Sequence, residues 1–347
     1  MVETFIDKPA RWLDGAGSEA DLVLFTKGTL ARNLADFPFP SRCTAEDARA
    51  VEERILGALD QTGLLAEGQY FSLLEAGPQE ARFFHERHLV TAELLRRGGP
   101  RGVFVKNDQS LSIMINEANH TRICVTASGL EPEAVWSRLS SVDDTLTGAL
   151  DFAFDERLGY LTPLLGQVGT GLNLLAALHL PALAIASKIL GAEQRVREQR
   201  HVLQGLMGSI SAAQGDVYAL SNQSTLGRSE EEIVYHLRHI AQELMDQERT
   251  EREVMTNDGH LSLEDRINRA LGSARGARLL EMDEGLDILS SLRLGLSTKH
   301  LEGFRYKLLN ELFVESQPAH LELRRGAECD EVTLSVERAN LFRTRLS

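Results

Sequence analysis

The residues of this chain with the spacing to do chemistry are few. Gly166, Gly169 and Gly171 fall in GQVGTG, and a glycine-rich loop can cradle phosphate because its backbone N–H groups approach the ligand closely. The order is wrong for a dinucleotide fingerprint and the GK[ST] ending of a phosphate-binding loop is absent, so the segment by itself reads as a tight turn. His85 and His88 stand three apart, as do His236 and His239. Either pair could offer two imidazoles to a metal, but no third ligand accompanies them at a recognisable spacing, and we expect no metal. Cys43, Cys124 and Cys329 are scattered without a CxxC pair, which argues against a zinc ribbon or a thioredoxin-type site. No GxSxG elbow and no Cys–His pair is visible.

Composition narrows the classes further. With 347 residues, 43% of them hydrophobic, the chain can bury two cores. A net charge of −14 repels phosphate backbones, so no nucleic-acid partner is expected. The short basic cluster Arg96, Arg97, Arg101 reads as a solvated helix end. MVETFIDKPARWLDG lacks the basic-then-apolar order of a signal peptide. The run Leu172–Leu190 is broken by His179 and Pro181, with Lys188 near its end, and fits a strand or helix in a soluble core better than a membrane span. A cytoplasmic protein with no membrane partner is expected, in keeping with free thiols.

The elements that must position these residues are legible in patches. Thr44 can cap a helix with Asp47 closing the box, and Val51, Ile55, Leu56 and Leu59 share a face. Around Phe104–Val125, two β-type runs flank a turn at Asn107, Asp108 and Gln109. Another helix is expected from Glu131 to about Leu150. HVLQGLM and GDVYALSN suggest two more strands joined through Ser209–Gln214. Ser229 and Glu232 form a capping box ahead of a long stripe from Ile233 to Met245. The pattern predicts an α+β fold: an antiparallel sheet flanked by helices over residues 1–257, followed by an all-helical domain over 258–347.

Several segments in the right order resemble the bacterial protein-arginine kinases, relatives of creatine and arginine kinase. They are TLARNLADFPFP, ERHL, SLSIMINEANHTRI, GYLTPLLGQVGTGLNLLAALHLPAL and DVYALSNQSTLGRSEEEIV. The resemblance implies the guanido-kinase catalytic fold. Phosphoryl transfer to a guanidine requires cations around the phosphates, and carboxylates that orient the guanidinium and accept its proton.

Position by position, the resemblance implies a degraded site. On the nucleotide side Lys27, His88 and Arg122 remain, while Thr29, Asn173 and Gln204 stand where arginines belong. On the guanidine side Ala118 and Ser209 replace glutamates and Leu164 replaces a cysteine. Glu117 survives, but a strand there would turn its side chain to the opposite face. In the tail LSVERA matches the family's phosphoarginine motif R-D-x-x-R-A only at Arg338 and Ala339. Arg338, Arg343 and Arg345 would then be the solvated face of a last helix.

These positions imply a pseudokinase without a cofactor, acting through protein contacts. An active kinase paralogue or a Clp-type unfoldase is the implied partner, and pairing through the helical domain implies a dimer. The alternative is a weak or altered Mg-ATP-dependent protein-arginine kinase. A third reading is an old cleft made apolar by Leu164, Leu174 and Leu175 that takes an uncharged ligand.

Overall fold

The computed structural model describes residues 2–347, apart from the side chain of Glu3. Eight antiparallel strands form the main sheet: β1 (Val23–Arg32), β2 (Gly68–Ser72), β3 (Gly102–Lys106), β4 (Leu111–Ile115), β5 (Thr121–Ser128), β6 (Leu172–His179), β7 (His201–Gly205) and β8 (Val217–Asn222). Their order is β2-β3-β4-β5-β1-β6-β8-β7, so the long strand β1 lies near the centre. Two short hairpins, Phe154–Asp155 with Gly159–Tyr160 and Gly208–Ser209 with Ala212–Ala213, stand apart. The run Leu172–Leu190 divides into β6, a short helix at Pro181–Ile185 and the start of another helix at Ile189.

The two faces of the sheet have different fates because side chains alternate. Leu30, Ile113, Ile123, Leu172, Leu174, Leu203 and Leu220 face a rear core. It is closed by α1 (Ala45–Gln61), α3 (Pro132–Thr147) and α5 (Glu230–Asp258), with α2 (Pro78–Glu86) lying elsewhere. Both expected capping boxes form: Thr44 with Asp47 opens α1, and Ser229 with Glu232 opens α5. Gly28 is needed on β1, since a Cβ there would meet Leu139 at 2.5 Å and Val135 at 2.6 Å.

The front face is covered only at its ends. Near β3 and β4, Val103, Val105 and Met114 pack against Phe83, Phe84, Leu89 and Leu94. At the other end, Phe25, Ala177 and Val217 pack with Trp12 and Leu13 against the helical tail. After α4 (Ile189–Glu198) and α5, that tail comprises α6 (His260–Gly276), α7 (Met282–Ser297), α8 (Tyr306–Glu315), α9 (Pro318–Arg325) and α10 (Glu331–Arg345). No helix among the described residues is long and apolar enough to cross a membrane.

The tail is tied in by buried polar groups. Glu248 accepts from the backbone N–H of Ala182 and Leu183 and pairs with Arg252, whose guanidinium reaches Ser297. At the end of α2, the Glu86 carboxylate accepts from the N–H of Ala319 (2.8 Å) and His320 (3.2 Å), capping α9. Arg87 Nε donates to His320 Nε2 at 2.9 Å, so the His320 proton sits on Nδ1 and is donated to Glu86 at 2.7 Å.

Candidate active-site cleft

Between the two covered ends of the front face runs a half-exposed floor. Strand register sets Thr29 opposite Cys124 and Asn173, Lys27 opposite Thr126 and Leu175, and Arg122 opposite Ala31. Gln204 lies on the same face, through Ala219 and Ala177. The sheet thus brings Lys27, Thr29, Arg122, Asn173 and Gln204, the positions the resemblance singled out, onto one surface. Leu174 is not part of it: it is fully buried in the rear core, so Leu175 alone of that pair faces the cleft. This removes part of the basis for an apolar ligand site.

The cations of the floor are already engaged. Lys27 Nζ donates to the His88 carbonyl at 2.6 Å. Burial, aided by nearby Arg122, pushes its pKa below the usual lysine value, opposed by Cys124 and Glu117. Arg122 Nη2 lies 3.2 Å from Glu117 Oε2, and its Nε has no partner. Glu117 also accepts from the Thr91 hydroxyl at 2.7 Å and the Ala118 N–H at 2.8 Å.

The strand argument for Glu117 therefore fails. β4 ends at Ile115, Asn116 adopts φ 59°, and the loop swings the Glu117 carboxylate back to Arg122. Sequence reasoning missed Glu117 and Thr91 as partners of this site, and only the positive φ reveals why.

His88 follows the end of α2 with φ 57°, its ring against Phe25 and Trp12. Burial, with the nearby positive charge of Lys27, pushes its pKa down to about 3, so the ring is neutral, and Nε2 is buried without a partner. His85, in the last turn of α2, is exposed. Among the described residues no group of three or more His, Cys, Asp or Glu side chains is arranged to hold a metal ion.

At the three positions that the resemblance assigns to a guanidine, the side chains are Ala118, Leu164 and Ser209, without a carboxylate or thiol. Ala118 is half-buried in the loop after β4. Leu164 is 47% exposed in the loop before Gly166, and Ser209 is exposed on its hairpin, bonded only to Ser211. Behind these loops a buried ladder fixes their relation: Asn33 Nδ2 donates to Asn119 Oδ1 (2.9 Å), and Asn119 Nδ2 to Gln167 Oε1 (3.1 Å). The glycine loop is a tight turn, with Gly169 at φ 111° and Gly171 at φ 67°. Arg32 anchors it by donating to the Thr170 carbonyl while pairing with Asp143 and lying over the Tyr160 ring.

Arg338 is not on a solvated face. It is 3% exposed, with Nε and Nη1 donating at 2.8 Å to the carbonyls of Ser316 and Leu280. Arg345 pairs with Glu311 and Glu315, and Arg343 reaches the Ala277 carbonyl, so the three arginines join helices. Arg97 and Arg101 likewise donate to the carbonyls of Pro40 and Leu94, and Arg96 pairs with Glu93.

Comparison with known proteins places this geometry. Residues 50–251 match the ATP:guanido phosphotransferase C-terminal catalytic domain, and residues 260–347 match the protein-arginine kinase McsB C-terminal domain. The chain is similar to a "Protein-arginine kinase" of Symbiobacterium thermophilum, 37% identical over 345 residues, covering 97% of both chains. A second relative so named, from Moorella thermoacetica, is 36% identical and covers 99% of each. Among solved structures, lombricine kinase superposes with a TM-score of 0.60 at 25% identity, over 70% of this chain and 71% of that one. The paired cations on an antiparallel floor, the two matched regions and the near full-length relatives lead to one assignment: the chain belongs to the McsB-type protein-arginine kinases of the ATP:guanido phosphotransferase family.

Proposed function

We propose that this member of the family is a pseudokinase that works through protein contacts rather than phosphoryl transfer. The observation that carries the reading is the Arg122–Glu117 pair: the Glu117 carboxylate neutralises one of the remaining cations. At the three substrate positions, Ala118, Leu164 and Ser209 can neither accept the guanidinium proton nor fix its plane. On the phosphate side, Thr29, Asn173 and Gln204 bring no charge.

A hydrogen bond to a charged group contributes about 1.5–3 kcal/mol, so three missing arginines remove roughly 5 kcal/mol or more. Micromolar affinity is worth only about 8 kcal/mol. Lys27, His88 and Arg122 would be the residues left to meet a nucleotide, and two of them must first give up internal partners. The proposal includes a division near residue 257, a dimer formed through the helical domain, and a cytoplasmic partner that is an active kinase paralogue or a Clp-type unfoldase. Arg338, held by two carbonyls, is not proposed as a phosphoarginine reader.

A second reading is favoured by the name its relatives carry: a weak or altered protein-arginine kinase that uses Mg-ATP at Lys27, His88 and Arg122. Calorimetric titration with Mg-ATP, followed by assay of acid-labile phosphate on protein arginines, separates the two. No saturable heat up to millimolar nucleotide is the expected result. Micromolar binding with arginine phosphorylation that Arg122→Ala abolishes would replace the pseudokinase reading by the kinase one.

A further inference from the structure

By spacing His236 pairs with His239, but the fold gives it a different imidazole. His201 opens the edge strand β7 and lies on the same side of it as Leu203, which packs in the rear core beneath α5. That alternation turns the His201 ring toward the helix. There it meets His236, with ring centroids 6.4 Å apart. His239 is engaged elsewhere: its ring stacks on the exposed Tyr235, and its Nε2 lies 3.4 Å from Glu243 Oε1.

The His201 ring is held as a ligand would be. It is 1% exposed, and its Nδ1 lies 2.9 Å from the Gln199 carbonyl. A carbonyl can only accept, so the proton sits on Nδ1 and the lone pair of Nε2 is left bare. That Nε2 is buried without a hydrogen-bond partner, which costs about 1–3 kcal/mol unless something meets it. Burial lowers the His201 pKa, opposed by the Gln199 carbonyl and aided by Arg228 and His236, so the ring is neutral. His236 is half-buried and makes no hydrogen bond or ion pair among the described residues. A carbonyl that fixes the tautomer from one side of a ring, with a free nitrogen on the other, is how metal-binding imidazoles are oriented.

We propose that His201 and His236 bind one divalent metal ion of the Zn²⁺, Ni²⁺ or Cu²⁺ class, clamping the edge strand β7 to α5. With a metal–nitrogen distance of about 2.1 Å, two imidazoles on one tetrahedral ion hold their ring centres roughly 5 Å apart. The 6.4 Å separation leaves about 1 Å to close, which the unbonded His236 ring covers by swinging inward. No third His, Cys, Asp or Glu joins the pair among the described residues, so water fills the remaining positions. A nitrogen-only donor set favours these ions over Mg²⁺ and Ca²⁺, which take oxygen. The nearby Arg228 guanidinium opposes the charge of the ion. His201 and Gln204 lie on opposite faces of β7, so the site is separate from the cleft and does not depend on whether the cleft transfers phosphate.

Calorimetric titration of the full chain, without an affinity tag, with Ni²⁺ and with Zn²⁺ tests the site. One equivalent of either should bind, with no heat from Mg²⁺ or Ca²⁺. Saturating Ni²⁺ should raise the melting temperature, because the two rings are neighbours only in the folded chain. His201→Gln and His236→Gln should each weaken Ni²⁺ binding at least tenfold. With half an equivalent of Cu²⁺, electron paramagnetic resonance should show two imidazole nitrogens on the ion in the parent and one in either variant. His239→Gln should change Ni²⁺ affinity less than twofold, and Arg228→Ala should tighten it at least twofold. If His201→Gln does not fold, the half-buried His236→Gln decides alone. Absence of binding, or indifference to His236→Gln, would overturn the proposal. So would a tenfold loss with His239→Gln, which would identify chelation on the outer face of α5 instead.

Discussion

The pair formed by Arg122 and Glu117 decides how much of the cleft could be read in advance. Arg122 is fixed on β5 by strand period, and the register of β5 on β1 sets it on the same face as Lys27 and Thr29. Glu117 sits just past the strand, where the positive φ of Asn116 breaks the two-residue alternation on which any prediction of facing depends. Arg338 was misplaced for a related reason, since helical spacing assigns a face but not which neighbouring helix covers it. Glu117 is buried, whereas 14% of the Arg122 side chain still reaches solvent. Arg122→Met should therefore cost about 2–3 kcal/mol, below the 3–5 of a fully buried pair. Adding Glu117→Gln should restore part of that loss. Urea unfolding of the two variants measures both steps, and a single variant within about 0.5 kcal/mol of the parent would show that the pair contributes little.

Whole elements were legible where local chemistry marks their ends. The two capping boxes at Thr44 and Ser229 announce α1 and α5, and both form as expected. β6 was ambiguous because its side chains are covered along much of both faces, which erases the alternation that distinguishes a strand from a buried helix. Ser229→Ala should lower stability by about 1 kcal/mol, read as a shift in urea midpoint without a change in slope. Gly28 tests how tightly α3 lies on the sheet. Gly28→Ala drives a methyl into Leu139 and Val135 and should cost about 1–3 kcal/mol. A neutral result there would mean that α3 can lift from β1.

At the scale of the whole molecule, the shielded histidines set the response to acid. Burial is the leading cause that lowers the pKa of His88 to about 3 and of His120 to about 4, and it also lowers those of His179, His201 and His320. The unfolded chain takes up protons at these sites below about pH 6.5 while the folded chain refuses them, so stability is lost as pH falls. Glu86 acts in the opposite sense: burial raises its pKa to about 7, and its contribution is full below about pH 4.5 and lost by pH 7. His85 is lowered by burial as well, and Glu248 and Asp287 are raised by it like Glu86. Six imidazoles therefore outweigh three carboxyls, each contributing up to about 1.4 kcal/mol per pH unit. Unfolding free energy should accordingly rise between pH 4.5 and 6.5. A flat or falling profile would show that these rings reach water in the native state.

Glu86, Arg87 and His88 are consecutive, yet they face two ways: Glu86 and Arg87 reach the start of α9 at His320, while His88 offers its carbonyl to Lys27. One short stretch of backbone therefore links the helical tail to the floor of the cleft. If a partner pulls on α9 and shifts that carbonyl, then by thermodynamic reciprocity anything that captures Lys27 must change the partner's grip by the same factor. If the scaffold transfers no phosphate, as proposed, it could still carry messages along this route.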